Sequence, residues 1–91
     1  MNMETAVQSA KTGADHAALA DHYQQAAQDL LAKAEEHKKL LGQYKAQSYL
    51  YGKQGQSFQA HCEALIRSYK QASDANLEMA QLHRAMAAEA K

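Results

Sequence analysis

Apolar and ring-bearing residues recur every three or four positions from His16 onward: His16, Leu19, Tyr23, Ala26, Leu30, Lys33, His37 and Leu40. Ala27, Leu31, Ala34 and Leu41 widen the stripe. That spacing puts these side chains on one face of an α-helix. Lys33 interrupts the apolar pattern, although its aliphatic stem can lie along the seam. The start is marked by "TGAD", where Thr12 and Asp15 form a capping box. The stop is marked by "HKKLLG", with Lys38 and Lys39 in the last turn and Gly42 just beyond. Together these signals predict helix one over about residues 13–41.

A second seam reads Phe58, Cys62, Leu65, Tyr69, Ala72, Asn76, Met79, His83 and Met86, preceded by Ser57 as an N-cap. It predicts helix two over about residues 57–90, with a kink or break invited by the poor helix formers of "ASDAN" at 72–76. The connector, 42–56, reads "GQYKAQSYLYGKQGQ" and is long for a helical hairpin. A second arrangement therefore stays open: helix one running to about Tyr51, with a tight turn at Gly52–Gly55. Met3–Ala10 can add a short further helix.

These elements make a single all-α domain built on an antiparallel helical hairpin. Two helices cannot bury both stripes alone, so the hairpin is expected to dimerise into a four-helix bundle. Composition agrees, with 20 Ala, 11 Gln, no Pro and no Trp among 91 residues. Ten Lys and Arg balance ten Asp and Glu, so net charge points to neither nucleic acid nor anionic lipid. No stretch approaches the roughly 18–20 apolar residues a membrane span requires, and no membrane insertion is expected. Met1–Thr12 lacks the basic start and apolar run of a secretory signal. One cysteine excludes an intrachain disulfide.

Five histidines and that cysteine change the picture. If helix one ends at Gly42, residues at equal height in the hairpin have numbers adding to about 99. His37 then stands opposite Cys62, and His16 opposite His83. His16 and His37 lie 21 residues apart, as do Cys62 and His83, so each keeps its seam position over three heptads. The best candidate site is thus His37, His61 and Cys62, with a second at His16 and His83, near Met79 and Met86. Imidazole with thiolate or thioether suits copper first and zinc second. If the turn instead sits near residue 53, His37 faces Lys70, and His22 lies closest to His83. Taken singly, a seam histidine is more often a hydrogen-bonded interior residue, and a lone helical cysteine more often a small hydrophobe.

Other chemistry has less support. There is no C-x-x-C-H, no H-E-x-x-H and no glycine-rich phosphate loop. Haem held by a histidine and a methionine is a distant third choice of cofactor. A Cys62–His37 nucleophile pair lacks a residue to orient the base, so no enzyme is expected.

The pattern "DHAALADHY … AEEHKKL … HCEALI … LHRAMA", over residues 15–87, resembles small helical proteins exported by Gram-negative bacteria. In general style it is also similar to periplasmic histidine-rich bundles that bind copper. The resemblance implies a periplasmic location and a leaning toward copper. It lacks the dense histidine repeats of those binders, which argues against bulk storage. The functional expectation is a non-enzymatic copper-handling homodimer, with a metal-free structural or interaction bundle as the rival.

Overall fold

The residue types at Thr12 and Asp15 produce the cap they predict. In a computed structural model describing residues 2–89, the Asp15 amide donates to Thr12 Oγ1 at 3.1 Å. The Thr12 amide donates back to Asp15 Oδ2 at 3.1 Å, and the Lys11 amide joins it at 3.0 Å. Donation from Lys11 first, and from Thr12 second, holds the Asp15 carboxyl below its ordinary pKa of 3.8.

Three helices follow, and no strand occurs among the described residues. The first, α1, covers Met3–Ser9 and is capped by Asn2, whose side chain accepts from the Thr5 amide at 3.2 Å. The second, α2, covers Gly13–Ala46, and the third, α3, covers Gly55–Glu89. The predicted end of helix two, near residue 90, lies outside the described residues. Two 3-10 turns, Ser48–Leu50 and Gly52–Gln54, join α2 to α3. The fold is all-α and carries a long helical hairpin.

Gly42 does not end the helix. It sits inside α2, where a Cβ would meet nothing within 4 Å. An interior glycine costs about 1 kcal/mol, and that is too little to stop a helix that goes on to cover half-buried Tyr44. The left-handed glycine is Gly52 in the connector, at φ 53°. Nor does "ASDAN" break α3. Ser73 is fully buried there and Asn76 half-buried, so packing outweighs weak propensity.

The chain divides into two compact units, Met1–Ala27 with Asp74–Lys91, and Gln28–Ser73. In the first, the core consists of Leu19, Ala20, Ala27 and Ala80, with the polar His16 also buried. Here α1 and α2 border an open cleft of about 170 Å³ lined by Ala6, Ser9, Asp15, Ala18 and Leu19. In the second, Ala34, Cys62 and Ser73 are buried. There Tyr44 stacks on Phe58 (5.0 Å) and His37 on Tyr69 (5.5 Å), so α2 and α3 run antiparallel within that unit.

The buried positions correct the predicted seams. On α3 the covered side chains are Cys62, Tyr69, Asn76 and His83, as expected, but alternating with Ile66, Ser73, Ala80 and Ala87. Leu65, Met79 and Met86, one position earlier in each case, are exposed. On α2, Ala34 is buried while Lys33 and Leu31 are exposed. Ala20, Ala27 and Ala34 recur every seven residues on α2, as do Ser73, Ala80 and Ala87 on α3. An alanine side chain reaches full burial only when a neighbouring backbone or β-carbon lies directly over it. Small residues at that repeat therefore mark where the helices come close, and the larger Leu and Met side chains are displaced to the flanks.

Candidate metal centre

The unit containing the chain ends holds three near-parallel rings. His83, on α3, meets His16 (centroids 5.3 Å apart, planes 20° apart) and Tyr23 (5.7 Å, 6°), both on α2. Seven residues separate His16 from Tyr23, so both project from one face two turns apart. That spacing was visible in the sequence, although Tyr23 appeared there only as a seam aromatic. His22 is half-buried, with its ring edge against Tyr23 at 5.9 Å.

The two imidazoles meet through like atoms. Nδ1 of His16 and Nδ1 of His83 stand 3.1 Å apart. His16 is buried and His83 half-buried. Two neutral rings satisfy this contact only if one Nδ1 carries its proton and donates to the lone pair of the other. If both carry lone pairs there, the pair repels unless a proton or a metal cation lies between. Two nitrogens about 2.0–2.1 Å from a tetrahedral ion stand about 3.3 Å apart, close to the observed separation. Beside the pair, the Arg84 guanidinium donates to Gln24 Oε1 and approaches Asp21 at 3.6 Å, both on α2. This exposed clip contributes little energy of its own but fixes α3 against α2 next to His83.

The other predicted cluster is distributed differently. His37 stacks on Tyr69 with planes 23° apart. Tyr69 lies seven residues beyond Cys62, so this contact falls near the register that puts His37 opposite Lys70. His37 Nδ1 is buried and has no hydrogen-bond partner among the described residues. Cys62 is a free thiol, only 6% exposed. His61, its neighbour, is exposed, as the angular step of about 100° between successive helical residues requires. Among the described residues, no group of three or more His, Cys, Asp or Glu side chains stands where it could hold a metal ion. The structure therefore brings together His16 with His83, and does not bring His61 to a buried position beside Cys62. Met79 and Met86, the thioethers considered for the His16–His83 end, are 39% and 47% exposed.

No family model matches this chain, and no curated protein or solved structure is significantly similar to it.

Proposed function

We propose that the protein binds a metal ion, copper ahead of zinc, between Nδ1 of His16 and Nδ1 of His83. The observation carrying this reading is the 3.1 Å approach of two like ring nitrogens at a part-buried point. Copper stands ahead of zinc for two reasons. At nitrogen sites copper(II) outranks zinc in intrinsic affinity. Structural zinc takes four protein ligands and catalytic zinc three, whereas this pair supplies two. Tyr23 holds the His83 ring by stacking, so the site is partly organised before the ion arrives. In this reading His37, His61 and Cys62 lie outside the primary site.

Competitive titration with copper(I), copper(II) and zinc tests the proposal. Affinity better than about micromolar is expected for copper, falling as acid protonates the imidazoles. It should be lost in His16→Ala and His83→Ala and kept in Cys62→Ser and His61→Ala. Binding that survived both histidine changes would place the metal elsewhere; no binding at all would remove the proposal.

One observation favours a second reading. Leu65 in one unit, and Met79 and Met86 in the other, are left exposed on α3. A second copy laid against α3 would cover such residues and complete a four-helix bundle. His16 and His83 would then be a neutral hydrogen-bonded pair. A dimeric native mass with a melting temperature indifferent to chelators supports this reading over the first.

A further inference from the structure

The balance of ten cationic and ten anionic residues conceals an uneven distribution. Between Lys38 and Lys70 stand six cationic side chains, Lys38, Lys39, Lys45, Lys53, Arg67 and Lys70, against one carboxylate, Glu63. All seven are exposed, and all lie in the unit Gln28–Ser73, which contains the connector. Glu35, just outside the stretch, takes up Lys38 in an exposed pair at 3.0 Å. Lys39, Lys45, Lys53 and Arg67 form no ion pair among the described residues. Crowding is sharp enough that Lys38 beside it pulls the Lys70 ammonium below its ordinary pKa.

The same connector displays apolar surface. Residues 45–50 are exposed without a break. Tyr49 is 78% exposed and Leu50 61%. On either side of them in the chain, Tyr44, Tyr51 and Phe58 pack into an aromatic cluster with centroids 5.0–5.5 Å apart. That cluster ties down both ends of the exposed segment, so presenting Tyr49 and Leu50 costs little ordering entropy. Lys45 and Lys53 flank the pair in sequence, and Lys38 and Lys39 lie about 10–12 Å up α2 from its end.

We propose that this connector tip docks onto the surface of an anionic lipid bilayer, with Tyr49 and Leu50 entering the headgroup region and the surrounding lysines facing lipid phosphates. Tyrosine favours the interfacial zone, and basic residues near a bilayer are drawn to its negative surface. Each signal alone gives only marginal binding; firmer attachment takes an apolar and a basic signal together. A leucine at the apex argues for a bilayer over nucleic acid, because it gains from acyl chains and not from phosphates. An exposed turn also lacks the groove that tracks a nucleic-acid backbone. Binding of this kind is peripheral, and no helix among the described residues is long and apolar enough to cross a membrane.

Co-sedimentation of the full chain with phosphatidylcholine vesicles, with and without phosphatidylglycerol, tests this. Partitioning is expected only with phosphatidylglycerol, weakening as salt screens the charges. A Lys45→Glu, Lys53→Glu double variant should lose at least about tenfold in partition coefficient. Tyr49→Ala, Leu50→Ala, which leaves charge unchanged, should lose several-fold. All four positions are exposed, and circular dichroism is the check that helicity is kept. No partitioning with phosphatidylglycerol overturns the proposal, as does partitioning unaffected by the charge reversals. Partitioning that ignored the Tyr49 and Leu50 changes, while heparin bound equally well, would mark a general polyanion site and also overturn it.

Discussion

His16 and His37 occupy equivalent positions on α2, three heptads apart, yet they meet different surroundings. His16 lies in the unit of the chain ends, where its Nδ1 finds Nδ1 of His83 at 3.1 Å. His37 lies in the unit of the connector, stacks on Tyr69, and keeps a buried Nδ1 with no hydrogen-bond partner among the described residues. The α2 face is nearly the same in both places, with alanines one and two heptads apart. What differs is the residue that α3 presents. A histidine facing a histidine makes a polar centre with a definite chemistry, whereas a histidine facing a tyrosine ring makes a stack and leaves one nitrogen unserved. A seam position alone therefore does not define a site; its opposite residue does.

The comparison can be broken most forcefully through metal binding. Truncating His83 to alanine should lower copper affinity by more than about 100-fold, since even outer-shell changes around a metal cost 10–100-fold. His37→Ala should change it by no more than a few-fold. Equal losses in the two variants would dissolve the distinction between the units.

A second test concerns the small residues that bring the helices close in each unit. Ala80→Leu in one and Ala34→Leu in the other insert volume where relative exposure is zero. Each should cost about 1–3 kcal/mol or more, read from denaturant midpoints. By contrast Leu82→Ala, at an exposed position, should fall within about 0.5 kcal/mol of the parent. If Ala80→Leu and Ala34→Leu were as mild as Leu82→Ala, the close-packing account would be wrong.

His37→Phe sharpens the comparison from the other side. It preserves a ring against Tyr69 and removes the unserved nitrogen, so it should stabilise the protein by about 1 kcal/mol. His16→Phe should have the opposite sign, because it strands His83 without its partner. Thermal melts of the two variants decide between these signs.

How far the sequence led depended on the kind of signal. The Thr12–Asp15 cap was legible because its two residues act on each other three positions apart, with no tertiary help. The hairpin and the all-α class were legible from spacings of three and four; the meeting of His16 with His83 was expected only on a helix one ending at Gly42, an end the structure does not have. Gly42 misled, because a glycine reads as a stop only when the chain beyond it has nothing to bury. Here half-buried Tyr44 carried α2 on to Ala46. The rotation of the α3 seam toward Ser73 and Ala80 was hidden for a related reason. Hydrophobicity ranks Leu65 and Met79 above them, while close helix packing ranks by size. The usable clue was the seven-residue repeat of Ala20, Ala27 and Ala34, echoed by Ser73, Ala80 and Ala87. The register of His37 against Tyr69 rather than Cys62 followed from the same two features and could not be fixed without them.

Two glycines offer the smallest and cleanest check on that lesson. Gly42→Ala should stabilise the protein by about 1 kcal/mol, because the site is helical and open to a Cβ. Gly52→Ala should destabilise it by a similar amount, because its φ of 53° strains any other residue. The two melting temperatures should move apart; a shared direction would mean that the helix boundary lies elsewhere.

X-ray absorption at the copper edge of the loaded protein tests the central claim most directly. Two imidazole nitrogens at about 2.0 Å with no sulfur neighbour is the predicted first shell, disappearing in His83→Ala. A sulfur scatterer near about 2.3 Å would contradict it, and would move the metal from the His16–His83 pair to Cys62.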